Sequence, residues 1–110
     1  MNKINNERNN LNDLDLPPPW FHISWNKKAN IEEELKCELG NNHILFGLQF
    51  DAVAMRKDAD DVLLYLPSCK KPLAVVHLTW ISRSEEDPNV PFTVFYDSIK
   101  DWLERGIKQL

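Results

Sequence analysis

Apolar positions along the chain form period-two runs in its middle and a helical stripe at its end. The longest near-continuous run is Leu73-Ala74-Val75-Val76-His77-Leu78-Thr79-Trp80-Ile81. It is rich in β-branched residues and follows the turn-like Pro67-Ser68-Cys69-Lys70-Lys71-Pro72. This predicts a central strand, buried on both faces for most of its length, with Trp80 in the core. Upstream, Ile44, Phe46, Leu48, Phe50, Ala52 and Ala54 alternate with a mixed set. That pattern predicts a long strand over 43–56, bent near Gly47. A third strand falls at 62–66. Short connections make 43–81 an antiparallel meander. Residues 20–25 alternate Phe21, Ile23 and Trp25 against Trp20, His22 and Ser24, a short strand that puts Trp25 in the core. Residues 92–96 form a brief extended stretch.

Two helices frame these strands. Ile31, Leu35 and Leu39 recur every four residues, Asn30 and Glu33 fit a capping box, and Gly40 fits a left-handed C-terminal cap. A helix of about two turns is expected over 31–39. At the C-terminus, Ser98 and Asp101 repeat the capping pattern. Ile99, Trp102, Leu103, Ile107 and Leu110 then line one side, with Gly106 a weak spot or a point of close approach. The expected fold class is α+β, an antiparallel sheet of three to five strands with the amphipathic C-terminal helix packed on one face.

Length and composition refine this into one domain over 17–110 behind a leader. Residues 1–16 include six asparagines and too few apolar residues to offset their ordering entropy, so the leader is expected to be disordered. Pro17-Pro18-Pro19 is expected to form a stiff polyproline II connector that aims Trp20 at the domain. The net charge of −4 lacks the basic face that nucleic acid requires. No run approaches the ~20 apolar residues of a membrane span. The polar, asparagine-rich start is no secretory signal, so the expectation is a cytoplasmic protein with Cys37 and Cys69 as free thiols.

Cofactor chemistry finds little footing. Three scattered glycines build no phosphate loop. Asp58-Ala59-Asp60-Asp61 lacks the ligand spacing of a calcium loop, and the histidines and cysteines match no zinc spacing. No metal and no cofactor are expected. No serine or cysteine occupies a nucleophile elbow.

What remains is polar residues among apolar ones. On a strand, His77 and Thr79 share a face, and Gln49, Asp51 and Tyr65 are candidate partners. One reading is a hydrogen-bonded structural histidine. The other makes His77 a general base served by Asp51 and Arg56. Trp20, Trp25, Tyr65, His77 and Thr79 form the candidate binding set, since aromatic residues dominate binding hot spots.

Three stretches carry a resemblance. These are Asp60-Asp61-Val62-Leu63-Leu64-Tyr65-Leu66, the segment from Leu73 to Trp80, and Glu86-Asp87-Pro88 with Pro91 and Thr93. From about Trp20 to Trp102 the chain resembles a family of short uncharacterised bacterial proteins. The resemblance implies a bacterial cytoplasmic protein and transfers no activity, cofactor or site residue. Small size, acidity and aromatic richness together point to a binding or regulatory module that engages another protein, for example as an immunity protein or inhibitor; a homodimer is compatible with this. The alternative is a small hydrolase-like enzyme centred on His77.

Overall fold

The computed structural model describes residues 10–84 and 87–107. Five strands form one antiparallel meander in sequential order: β1 (Trp20–His22), β2 (Asp51–Arg56), β3 (Asp61–Tyr65), β4 (Leu73–His77) and β5 (Thr93–Tyr96). Helix α1 (Trp25–Glu38) connects β1 to β2. A short α2 (Ile99–Asp101) follows β5 and continues as a π-helical turn over Trp102–Ile107. The α+β meander expected from the apolar pattern is therefore present.

Strand alternation sorts the core into two layers. Val62, Leu64, Ala74, Val76 and Leu78 join Ile31, Leu35 and Leu39 of α1 on one face. Leu63, Tyr65, Leu73 and Tyr96 join Trp20, Trp102 and Leu11 on the other. A bulge in β2 between Ala52 and Ala54 turns both Val53 and Ala54 toward the second layer.

Several expectations need correction. Helix α1 begins six residues before 31, with Ser24 as its N-cap. The carbonyl of Ser24 accepts from the Lys27 and Lys28 amides, so Asn30 lies inside the helix and caps nothing. The helix ends on an extended Leu39, and Gly40 does not adopt the left-handed conformation. Trp25 stands on the first turn, 87% exposed, rather than in a strand or the core. Trp20 takes the buried position instead.

The expected strand at 43–56 forms only from Asp51 onward. The imidazole of His43 organises the preceding turns. Its Nδ1 accepts from the Leu45 amide at 3.0 Å, and Nε2 donates to the Pro91 carbonyl at 2.7 Å. Gly47 follows at φ +81°, a conformation glycine adopts without steric cost. Pro18 and Pro19 form a turn joined by a cis peptide bond, in place of the polyproline II connector.

The expected leader spans residues 1–16. Its first nine lie outside the described residues. Residues 10–13 are helical and Leu11 is buried in the second layer, so this part belongs to the packed domain. Leu110, the last member of the C-terminal stripe, also lies outside the described residues. Ser98 caps α2 as expected, its Oγ accepting from the Asp101 amide at 3.1 Å. The Asp101 carboxylate accepts from the Arg105 guanidinium, which lowers its pKa to about 2. Gly106 is a point of close approach: a Cβ there would stand 2.6 Å from Cδ1 of Trp102.

Candidate functional site

The end of β4 is where polar and exposed apolar groups gather. His77 is the last residue of β4 and pairs across the sheet with Asp61, the first residue of β3. Its Nδ1 donates to Asp61 Oδ1 at 2.9 Å. Trp20 is paired with Arg56 across β1 and β2. Arg56 lies one position beyond the Met55–Val62 pair, which sets it beside Asp61. Trp20, Arg56, Asp61 and His77 thus form a row across four strands on the face that carries Trp102. The row lines a cleft of about 160 Å³.

Beyond His77 the chain leaves the sheet. Leu78 returns to the core, and three of the next four residues, Thr79, Trp80 and Ser82, are held by two glutamates of α1. Glu38 accepts from the Thr79 amide (2.9 Å), the Thr79 hydroxyl (2.9 Å) and the Trp80 amide (2.8 Å). Glu34 accepts from the Ser82 amide and hydroxyl, both at 2.9 Å. Trp80 and Ser82 both sit at φ 60°, a region that costs a non-glycine residue roughly 1–2 kcal/mol. The five charge-assisted bonds hold this backbone. They leave the Trp80 ring 44% exposed, which corrects its expected place in the core.

The two glutamates are four residues apart on one side of α1, so their carboxyls are neighbours. The neighbouring Glu38 carboxyl, with the Ser82 donors, lowers the Glu34 pKa. Burial and the neighbouring Glu34 carboxyl raise that of Glu38. As pH rises, Glu34 therefore ionises before Glu38. The consequences for stability have opposite signs. The Glu34 contribution is present above 4.5 and is lost as pH falls through its lowered pKa. Glu38 favours the fold in its protonated state, and that advantage is lost as pH rises through its raised pKa. Amide protection of Ser82, whose acceptor is Glu34, should therefore fall as pH drops through the lowered Glu34 pKa. Hydrogen exchange across a pH series, corrected for intrinsic rates, measures this; a Ser82 protection that stays constant down to acid pH would contradict it.

A second cleft, of about 390 Å³, lies on the other side of Phe92. Its rim carries Ile44 and Phe92, 65% and 66% exposed. His43 fixes this cleft by tying the turn that bears Ile44 to Pro91. Phe92 walls both clefts, and its carbonyl accepts from the His77 amide at 2.9 Å.

The residues singled out in the sequence are thus divided among places. His77 and Arg56 meet in the first cleft, and Trp20 lines it from the core. Asp51, Tyr65 and Gln49 line a different cleft, of about 450 Å³. Asp51 forms an ion pair with Lys28 and does not serve His77. Thr79 bonds Glu38, not His77. Trp25 borders a separate hollow with His22. Sequence reasoning missed Glu34, Glu38, Asp61, Ile44 and Phe92. The signal for the glutamates was present: positions 34 and 38 fall beside the buried stripe 31, 35 and 39.

Among the described residues no three His, Cys, Asp or Glu side chains are grouped to hold a metal ion, and no helix is long and apolar enough to cross a membrane. Compared with known proteins, the chain matches no family model, no curated protein and no solved structure.

Proposed function

We propose that the protein is a small cytoplasmic binding module that engages another protein through the Ile44–Phe92 cleft. One observation carries this: two large apolar side chains, each about two-thirds exposed, face a single preformed groove. Exposed apolar groups gathered in one place mark interaction sites more often than isolated ones do. The groove suits an apolar anchor side chain. The chain carries a net charge of −4, and the exposed Asp87 precedes the Pro88 and Asn89 of the rim. A partner segment with basic residues flanking its anchor fits that acidity. An immunity or inhibitor role is one form of such binding, and the resemblance to short bacterial proteins is compatible with it. Once a partner is purified, Ile44→Asp and Phe92→Asp should each weaken its binding about 30-fold or more, the scale of a hot spot. Titration calorimetry reads this, and two variants that bind like wild type would end the proposal.

A hydrolase-like enzyme has one observation in its favour, the His77–Asp61 pair opening into a cleft with Arg56. The carboxylate would orient His77 as a general base toward water. Hydrolysis of p-nitrophenyl acetate tests it. The enzyme reading requires His77→Ala to lower the rate about 100-fold; equal rates refute it.

A further inference from the structure

We infer that the partner enters the Ile44–Phe92 groove as an extended segment that adds a strand to the sheet along the open edge of β5, with basic residues on its flanks. This rests on the binding reading above and specifies the form of the occupant. The sheet has two edges, β1 and β5. The β1 edge is three residues long, and the chain before it folds back so that the Leu14 carbonyl meets the His22 ring at 2.7 Å. The β5 edge is different. In an antiparallel ladder, successive residues turn their backbone groups alternately toward the neighbouring strand and away from it. The Phe92 carbonyl accepts from the His77 amide at 2.9 Å, and the register runs without a bulge from the Val76–Thr93 pair to the Leu73–Tyr96 pair. Phe92, Val94 and Tyr96 therefore bond to β4, while Thr93, Phe95 and Asp97 turn their backbone outward.

Only the far end of that outward row is closed. The Phe95 carbonyl accepts from the Arg105 guanidinium at 3.3 Å, and the Asp97 amide donates to Asp101 at 2.8 Å. The Thr93 amide, the Thr93 carbonyl and the Phe95 amide have no partner among the described residues. Open backbone groups along a strand are a template for another strand, and β5 carries no proline, lysine or bulge to block one. The groove lies at this same edge: Thr93 and Phe95 line it with Phe92, and Ile44 on the turns after α1 completes it. Phe95 packs with the layer that holds α1, and Val94 with the layer that holds Trp102. A strand set about 4.8 Å outside β5 points alternate side chains to those two faces. Its side chains on the α1 face enter the groove, and those on the other face cover the half-buried Val94. Charge favours a foreign segment over a second copy. Exposed aspartates stand at both ends of the edge, Asp97 directly after β5 and Asp87 directly before the groove-lining Pro88. Lysine or arginine flanking the added strand complements them. A second copy would bring the same aspartates and a further net charge of −4.

Hydrogen exchange of the free protein, read in ¹H–¹⁵N spectra, is the first check. The Val94 and Tyr96 amides should be protected, and those of Thr93 and Phe95 should exchange at close to their intrinsic rates. Protected Thr93 and Phe95 amides would overturn the inference: the edge would already be covered, by a second copy if the protection grows with protein concentration. The probe for occupancy is a linear peptide selected on the full chain from a random displayed library. It should alternate β-branched and other residues between basic flanks, and its binding should protect the Thr93 and Phe95 amides. N-methylating alternate amides of the peptide should weaken binding about tenfold or more in one set, which removes the donors to the edge carbonyls, and change little in the other. Ile44→Asp and Phe92→Asp should each weaken it about 30-fold, as for the partner itself. A peptide weakened by those substitutions but equally sensitive to both methylation sets would overturn the added strand and leave the groove. A peptide that binds both variants like wild type would end the groove reading and this inference with it. Failure to select any peptide, or a peptide that leaves Thr93 and Phe95 unprotected, would overturn the inference as well.

Discussion

Replacing Trp102 with alanine should cost the fold roughly 3–5 kcal/mol, the range for removing a large buried aromatic. Trp102 has no exposed surface and meets Trp20 edge to face. It belongs to the layer that includes Leu63, Leu73 and Tyr96, so its loss opens a cavity bounded by several elements. Domains of this size are stable by about 5–15 kcal/mol, so the variant should be close to unfolding at 25 °C. Its Nε1 has no partner among the described residues, so the loss is one of packing and not of a hydrogen bond. Trp102→Phe should therefore recover most of the deficit. Urea unfolding followed by far-ultraviolet circular dichroism distinguishes the two variants. A Trp102→Ala midpoint near that of wild type would mean that the C-terminal turn does not support the sheet.

Glu38→Ala should act locally first. The variant leaves the amides of Thr79 and Trp80 and the Thr79 hydroxyl without their acceptor. An orphaned donor costs about 1–3 kcal/mol if it stays buried, which favours opening the segment to water instead. Relief of a buried carboxylate offsets part of the loss. The net cost should be about 2 kcal/mol, with Trp80 free to leave φ 60° while Ser82 stays bonded to Glu34. Hydrogen exchange should then show protection lost at Thr79 and Trp80 while β3 keeps its own. Unchanged protection at Thr79 and Trp80 would show that the glutamates do not hold this segment.

Much of the fold was legible because strand pattern and turn chemistry agreed with the tertiary solution. Val62, Leu64, Val76 and Leu78 alternate cleanly, and the 67–72 turn joins two strands of equal length. The site was less legible. His77 meets Asp61 because that turn sets the β3–β4 register, and only the register reveals the partner. Residues 43–50 alternate like a strand, yet the His43 imidazole offers their backbone a competing set of bonds. Trp80 extends an apolar run, yet Glu38 captures its amide from another element. In each case a side chain remote in sequence decided the local backbone. Glu34 and Glu38 could have been found, since a carboxylate beside a buried helical stripe requires donors from elsewhere. Ile44 and Phe92 carry no such mark, because a sequence does not distinguish an exposed apolar residue from a buried one.

The binding proposal is tested most directly by a photoreactive residue placed at Ile44 in cells, with the same probe at Lys70 as a control distant in sequence. The expected result is one protein cross-linked from position 44, absent from position 70 and lost when Phe92→Asp is added. A second copy of the chain as that product would replace the foreign partner with a homodimer. Identical products from both positions, or a product at 44 that survives Phe92→Asp, would contradict the proposal.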